Sequence, residues 1–329
     1  MPYLILCSDL DSVGQDARRL SREAAAGRLV RIRRGAYVAR GQWDAASARE
    51  RYGTRVLAYN RTTAVQPVFA LETAAVAWGL WLVGTPTELH LRTQFSGGGR
   101  STRGIRRHLL PLDAEAEPLG ELLVLPKAHT AVELAARLPF AKAVAVVDSS
   151  RRALREPAAD PRLGPGWAAE SLLGDPVQPA ELQALAEQLP SAAMVRRALR
   201  VVEFSTHLAE SAGESISRAT IHILGFPAPE LQCKFTLGNG ERTRSDFHWP
   251  RHRLVGEFDG HGKYVRPDWG GGLSTADRLI AEKKREDGIR ALGFGFARWD
   301  WKELNQPPVL ARILSDAGLP QGSGRRRAS

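Results

Sequence analysis

Cysteine is nearly absent from this chain of 329 residues, which contains Cys7 and Cys233 and no others. Two thiols so far apart cannot define a disulfide framework, so a small disulfide-stapled secreted fold is excluded. Long apolar runs are absent too. The longest, Ala74 to Val83, falls well short of the roughly 20 residues that a membrane-spanning helix needs. The residues before Cys7 include no basic segment of a signal peptide. We therefore expect a cytoplasmic protein with no membrane partner.

Lysine is the next scarce residue: the chain has 7 Lys against 39 Arg. Together these 46 cations exceed the 36 acidic residues, which gives a formal net charge of +10. A coding bias that exchanges Lys for Arg leaves the net charge unchanged, so the surplus indicates a polyanionic partner such as DNA. With 43% apolar and 25% charged residues, the composition is otherwise that of folded domains, which excludes intrinsic disorder.

Positive charge is most concentrated at the amino terminus, where residues 1–60 hold 11 Arg against 6 acidic residues. A helical apolar period ends at Gly27, and the next segment alternates. This alternation predicts a hairpin that turns at Arg34-Gly35, where glycine supplies the positive φ. Helices followed by a basic hairpin predict a winged helix-turn-helix over residues 1–62. Its expected DNA contacts are seven arginines: Arg18, Arg19, Arg22, Arg28, Arg31, Arg33 and Arg34.

The fold class that we predict is α/β with several domains. Residues 63–155 alternate helices and strands, which predicts a small α/β middle domain. Residues 156–190 form a Pro- and Gly-rich linker with a helix, and the main domain boundary is expected within 156–180. Residues 191–316 form a second α/β domain, and residues 317–329 end in a basic tail that we expect to be disordered.

In the carboxy-terminal domain the hydrophobic period changes from helical to alternating. A helix from Glu214 to Leu224 ends at Gly225. Three strands, a charged helix and a last strand follow, predicted at Leu231–Leu237, Thr243–Trp249, Leu254–Asp259, Thr275–Leu292 and Phe294–Trp299. Helix, three-strand meander, helix and strand predict an α/β core with a mixed sheet.

Four carboxylates fall on or beside these strands. Glu257 and Asp259 project from one face of their strand, while apolar residues project from the other. A hairpin between the second and third strands can bring Asp246 next to Glu257. Glu214, on the preceding helix, can supply a fourth acid.

Carboxylates gathered in a low-dielectric cleft need a cation to stay ionised, and hard oxygen ligands favour Mg²⁺ or Mn²⁺. The pattern therefore predicts a metal site formed by Glu214, Asp246, Glu257 and Asp259. Such an ion can polarise a phosphodiester and lower the pKa of bound water, so the same acids are candidate catalytic residues for hydrolysis. A lysine can assist in orienting the water, and the candidates are Lys263, Lys283 and Lys284.

Each of these hypotheses has an alternative. The acids could be surface carboxylates on a solvated hairpin edge. A zinc site could form instead from the histidines that bracket them, His248, His252 and His261. The amino-terminal arginines could be a solvated face that pairs with Glu23 and Asp16.

The charged residues of the carboxy-terminal domain follow one order along the chain: Glu214, Asp246, Glu257-Phe258-Asp259-Gly260, Glu282-Lys283-Lys284-Arg285-Glu286-Asp287 and Arg290 up to Leu292-Gly293. This order resembles the PD-(D/E)XK nuclease superfamily, most nearly its domains allied to very-short-patch-repair endonucleases, over roughly residues 195–305. The resemblance implies a restriction-endonuclease-like α/β fold in which Glu214, Asp246 and Glu257 bind the metal.

The resemblance has one departure. Asp259 stands where many members of the superfamily carry Lys. Either Lys263 or a helix lysine such as Lys284 has taken over that role, or Asp259 is a further metal ligand, or the domain has lost hydrolytic activity.

The segment Gly27-Arg28-Leu29-Val30-Arg31-Ile32-Arg33-Arg34-Gly35-Ala36-Tyr37 is similar to the winged helix of AbiEi-family antitoxins from type IV toxin-antitoxin systems. Those proteins are DNA-binding repressors of their own operons, and the similarity implies a cognate toxin as a possible partner. We expect a DNA-binding protein with a Mg²⁺-dependent domain that hydrolyses DNA phosphodiesters. The alternative is a non-enzymatic, antitoxin-like transcriptional repressor with a degenerate nuclease fold.

Overall fold

The computed structural model describes residues 1–12, 18–94, 101–102, 104–152, 174–260 and 275–322, and for 11–12 and 275–282 the backbone alone. Within these residues the protein consists of helices and three β-sheets, so the predicted α/β class is confirmed. No helix in this part of the chain is both long and apolar enough to cross a bilayer.

The chain divides into two compact units. Unit 1 comprises residues 1–138 and 149–205, and unit 2 comprises residues 139–148 and 206–329. Much of the predicted Pro- and Gly-rich linker falls in residues 153–173, which lie outside the described residues.

Unit 1 opens with a small antiparallel sheet of three strands in the order β1-β3-β2. Gly35 turns the chain from β2 to β3 with a φ of 82°, as the predicted glycine turn requires. Ser47 caps the last helix of this segment, because its hydroxyl accepts the Glu50 N–H while the Glu50 carboxylate accepts the Ser47 N–H. The elements are β1 (Ile5–Leu6), α1 (Cys7–Ser12), α2 (Arg18–Ala25), β2 (Leu29–Arg33), β3 (Ala36–Ala39), α3 (Arg40–Ala45) and α4 (Ala48–Thr62).

The rest of unit 1 contains a mixed five-stranded sheet in the order β6-β5-β4-β8-β7. Its elements, with α7 shared between the units, are β4 (Val68–Phe69), α5 (Leu71–Trp78), β5 (Leu89–Arg92), β6 (Ile105–His108), β7 (Glu117–Leu119), β8 (Leu122–Val124), α6 (Lys127–Ala135), α7 (Phe140–Ser150), α8 (Pro179–Glu187) and α9 (Ala192–Phe204). The strands of this sheet are short, and β4, β6 and β7 are only 2, 4 and 3 residues long. Helix α9 packs with α6 and α8, and so lies in unit 1.

Unit 2 is built on a four-stranded mixed sheet in the order β12-β11-β10-β9. The pairs β9–β10 and β10–β11 are antiparallel, and β11–β12 is parallel. The elements are α10 (Ala212–Ile223), β9 (Glu230–Thr236), β10 (Arg242–Trp249), β11 (Leu254–Asp259), α11 (Thr275–Ala291), β12 (Gly295–Asp300), α12 (Trp301–Leu304) and α13 (Pro307–Asp316). The helix, the three strands, the charged helix and the last strand predicted from the sequence are all confirmed.

The two faces of this sheet are buried by different helices. Leu254 and Phe258 of β11 belong to the larger apolar cluster, which includes Ile221 of α10 and residues of α13. Val255 belongs to a smaller cluster on the other face with Ile289 of α11. The alternation predicted for β11 is therefore confirmed, and α11 lies on the face from which Glu257 projects.

A buried ion pair fixes the end of α7 within unit 2. The Asp148 carboxylate, which is fully buried, accepts hydrogen bonds from the Thr206 N–H at 2.7 Å and the Ser215 hydroxyl at 2.8 Å. A guanidinium nitrogen of Arg218 lies 3.0 Å from the same carboxylate. These three partners explain why residues 139–148 group with unit 2 rather than with their neighbours in sequence.

Gly213 of α10 generates a stability prediction. A Cβ at this position would lie 1.9 Å from the Phe258 ring of β11. We expect Gly213→Ala to lower the free energy of unfolding by about 1–3 kcal/mol or more, because the added methyl overpacks a filled core. Gly41→Ala is the matched control: Gly41 is exposed on α3 with no atom within 4 Å of such a Cβ. It should be neutral or stabilise by up to about 1 kcal/mol. Urea unfolding of both variants tests this packing, and equal midpoints would contradict it.

Candidate functional site

The predicted acid Glu257 is held by two arginines. Its side chain projects from the buried strand β11 and is 7% exposed. The two terminal guanidinium nitrogens of Arg285, on α11, donate to the two carboxylate oxygens of Glu257, with 2.6 Å between Nη2 and Oε2. Arg298, the neighbour of Glu257 on the parallel strand β12, donates to Oε2 at 3.3 Å. The bidentate Arg285 pair satisfies the carboxylate in the geometry that guanidinium groups favour.

Arg298 connects the other acids on this face. Its Nε lies 3.3 Å from Asp259 Oδ2, and its Nη2 lies 3.4 Å from Glu286 of α11. The guanidinium also lies over the Phe296 ring, 5.5 Å from the centroid. One cation therefore contacts three carboxylates where α11 covers the sheet.

Asp246 lies at the point where the β10–β11 ladder ends. The last rung of the ladder pairs Phe247 with Gly256, so Asp246 and Glu257 are the next residues along the two strands. The Phe258 N–H donates to Asp246 Oδ2 at 3.0 Å. Asp246 is therefore adjacent to Glu257 on the neighbouring strand, as predicted, and its carboxylate also fastens the two strands together.

Glu214 is buried in the first turn of α10. Ser211 begins the helix, and its hydroxyl accepts the Glu214 N–H while donating to Glu214 Oε1 at 2.9 Å. Glu214 Oε2 accepts the Glu210 N–H and the Gln232 side-chain amide, both at 2.8 Å. The Ser211 hydroxyl therefore caps the helix, the Glu214 carboxylate holds the residue that precedes the cap, and Gln232 of β9 ties this carboxylate to the sheet.

The helix α11 places an arginine against the acids. Arg285, which has no role in the sequence prediction, reaches Glu257, whereas Lys283 and Lys284 are exposed. Lys263 lies outside the described residues. The signal for Arg298 was present: Phe296, Arg298 and Asp300 share one strand parity, and a charged residue inside a strand that faces a helix needs a partner.

As arranged, these acids do not fit a divalent ion. Both oxygens of Glu257 and of Glu214 are engaged by protein donors, and Asp259 is paired with Arg298. Among the described residues, the three potential ligands that lie within 4.8 Å of one another are a different group, Glu230, Cys233 and His248. We therefore derive no catalytic step through Mg²⁺.

Of the histidines considered for a zinc site, His261 lies outside the described residues. His252 ends a short 3₁₀ turn, Pro250–His252, and does not belong to the group that contains His248.

The arginines predicted to contact DNA differ in how the protein engages them. Arg28 pairs with Glu23 of α2. Arg33 lies 4.4 Å from the centroid of the Tyr59 ring and donates to the Tyr59 carbonyl at 3.3 Å. The others are exposed on α2 and on the β2–β3 hairpin: Arg18, Arg19, Arg22, Arg31 and Arg34.

No protein-family model matches the chain. It is similar to two proteins of Mycobacterium tuberculosis, the uncharacterized protein MT2308 of strain CDC 1551 / Oshkosh and the uncharacterized protein Rv2248 of strain ATCC 25618 / H37Rv. Each is 34% identical over 140 residues, which cover 43% of this chain and 44% of the relative. The chain thus spans less than half the length of these relatives, and their names state no activity.

The Glu257–Arg285 pair generates the second prediction. Arg285→Gln should lower the free energy of unfolding by about 1–3 kcal/mol, because it leaves a buried carboxylate with only part of its compensation. Arg290→Gln is the matched control, since Arg290 pairs with Glu286 on the same helix and is 48% exposed. Its cost should stay below about 0.5 kcal/mol.

A double-mutant cycle separates this pair from other effects. Adding Glu257→Gln to Arg285→Gln should recover part of the loss, because the charge that was left unpaired is removed as well. Strictly additive losses in urea unfolding would mean that the two side chains are not coupled.

Proposed function

We propose that the protein binds DNA and docks on it through residues 1–62. The observation that carries the proposal is the set of exposed arginines on α2 and the β2–β3 hairpin, with Arg31 and Arg34 on the hairpin itself. The order β1, α1, α2, β2, β3 is typical of a winged helix. In that fold a helix enters a groove of the DNA, and the hairpin lies along the sugar-phosphate backbone. Exposed guanidinium groups are suited to phosphate contacts.

We further propose that unit 2 is a nuclease-fold domain without hydrolytic activity. Its helix, three strands, helix and strand, with the order β12-β11-β10-β9, support the resemblance to the PD-(D/E)XK superfamily. The arginines on Glu257 and Asp259 support the loss of activity, because they neutralise the acids that a divalent ion would otherwise bind. The protein would then be an antitoxin-like transcriptional repressor, with a cognate toxin as a possible protein partner.

The second candidate function is a Mg²⁺- or Mn²⁺-dependent DNA endonuclease. One observation favours it: Asp246 and Glu257 are adjacent on neighbouring strands, beside the helix that carries Lys284. In this alternative Arg285 withdraws from Glu257 when an ion binds. The two candidates share DNA binding and differ in hydrolysis, so each is tested separately.

DNA binding is tested by gel shift with the DNA upstream of the protein's own gene. Arg31→Ala/Arg34→Ala should weaken binding, and the slope of log K against log salt should become shallower by about 0.9 for each phosphate that the variant no longer neutralises. Arg196→Ala/Arg197→Ala is the matched control, because it removes the same charge from exposed positions of α9 in the same unit. An equal weakening in both variants would indicate a general charge effect and count against the hairpin.

Hydrolysis is tested by nicking of supercoiled plasmid with Mg²⁺ or Mn²⁺. If unit 2 is non-enzymatic, wild type should nick the plasmid no faster than the Asp246→Asn/Glu257→Gln variant, in which each new side chain has nearly the shape of the one it replaces. A circular dichroism spectrum and a urea-unfolding transition like those of wild type would show that unit 2 of this variant is folded, which DNA affinity through residues 1–62 does not report. Metal-dependent nicking that the double substitution abolishes would establish the endonuclease instead.

A further inference from the structure

A second group of potential metal ligands lies on β9 and β10, away from the ion pairs of Glu257. Glu230 and His248 form a direct cross-strand pair, and Cys233 lies three residues further along β9. Glu230 Oε2 lies 3.7 Å from His248 Nδ1 and 3.6 Å from Cys233 Sγ. One ligand atom from each residue lies within 4.8 Å of the others.

A local break in β9 brings Cys233 to this group. Residues three apart on a regular strand project from opposite faces, so Glu230 and Cys233 would normally be separated by the sheet. Gln232, between them, has a φ of 54°, a left-handed value that a residue other than glycine adopts uncommonly. This residue interrupts the alternation and puts the thiol on the same face as the carboxylate and the imidazole.

The His248 ring is fixed by its surroundings. Its side chain is 12% exposed and packs edge-on against Phe235 at 5.2 Å and Phe294 at 5.3 Å between ring centroids. Within the described residues its Nε2 is buried and has no hydrogen-bond partner, while its Nδ1 faces Glu230. An imidazole held in this way presents one nitrogen to the group without having to reorient on binding.

The two distances from Glu230 are close to those of one metal geometry, and the Cys233 and His248 ligand atoms lie within 4.8 Å of each other. A tetrahedral zinc centre with ligand bonds of about 2.0–2.3 Å holds its nitrogen, oxygen and sulfur ligand atoms about 3.3–3.6 Å apart. A thiolate and an imidazole beside a single carboxylate suit Zn²⁺, whereas Mg²⁺ and Ca²⁺ require oxygen ligands. Glu230 is 63% exposed, which leaves room for water as the fourth ligand.

We propose that Glu230, Cys233 and His248 bind Zn²⁺, with water completing the coordination. Binding exchanges the thiol proton for the metal, since a thiol ligand coordinates as the thiolate. The proton is released to solvent, and no change of oxidation state is involved. This site goes beyond the proposed function, because none of its ligands belongs to the acids on α10 and β11 or to the arginines on the hairpin.

The experiment is a Zn²⁺ titration of the tag-free full chain against a chromophoric chelator. Wild type should bind one zinc per chain. Cys233→Ser and His248→Gln should each weaken binding by more than about tenfold, since even outer-shell changes at zinc sites cost that much. Cys7→Ser is the matched control, because it removes the other free thiol of the chain and should leave zinc affinity unchanged.

Cobalt substitution provides a second readout. Co²⁺ bound by wild type should show a thiolate-to-cobalt charge-transfer band that Cys233→Ser loses and Cys7→Ser keeps. If one of these variants fails to fold by circular dichroism, the exposed Glu230→Gln variant replaces it, with the same expected loss of affinity. Asp246→Asn/Glu257→Gln should retain zinc binding whichever outcome the nicking assay gives. Wild type that binds no zinc, or a Cys233→Ser variant that binds it like wild type, would overturn the proposal.

Discussion

A carboxylate buried in the middle of a sheet has to be neutralised, and the partner that neutralises Glu257 determines what unit 2 can do. The side chain is 7% exposed on a strand covered by helices on both faces, so leaving it ionised and unpaired would cost several kcal/mol. A divalent ion and a pair of guanidinium groups are alternative ways to compensate it. In this protein Arg285 and Arg298 do so, and the same contacts join α11 and β12 to β11.

The sequence predicts the elements of unit 2 closely but not their charge partners. Strand and helix periods are local properties of the sequence. They predict β9 to β12 and the helices beside them, with ends that differ from the observed ones by a few residues at most. The partners of Glu257 are 28 and 41 residues away along the chain. No local period reveals a contact at that separation, so an acid on a buried strand predicts that a cation is present without saying whether it is a metal or an arginine.

Backbone conformation sets a second limit on prediction. The sequence predicts an ordinary strand from Leu231, and a regular strand that also includes Glu230 would place its carboxylate and the Cys233 thiol on opposite faces. The left-handed φ of Gln232 reverses that assignment, and its side chain bonds Glu214 of α10 at the same time. A glycine there would have signalled the break, but glutamine gives no such sign. The zinc alternative considered from the sequence named His248, which the proposed zinc site also uses, but it did not name Glu230.

The abundance of arginine has the same double meaning throughout the chain. A planar guanidinium binds a carboxylate in bidentate fashion and binds a phosphate in the same way, so the residue type alone does not distinguish a structural contact from a nucleic-acid contact. Arg285 and Arg298 form ion pairs with acidic residues of unit 2. Arg28 pairs with Glu23, and Arg33 lies over the Tyr59 ring. Counting charge therefore overstates the surface available to DNA. Exposure is the better criterion, and by that criterion the hairpin arginines Arg31 and Arg34 are suited to an external anion.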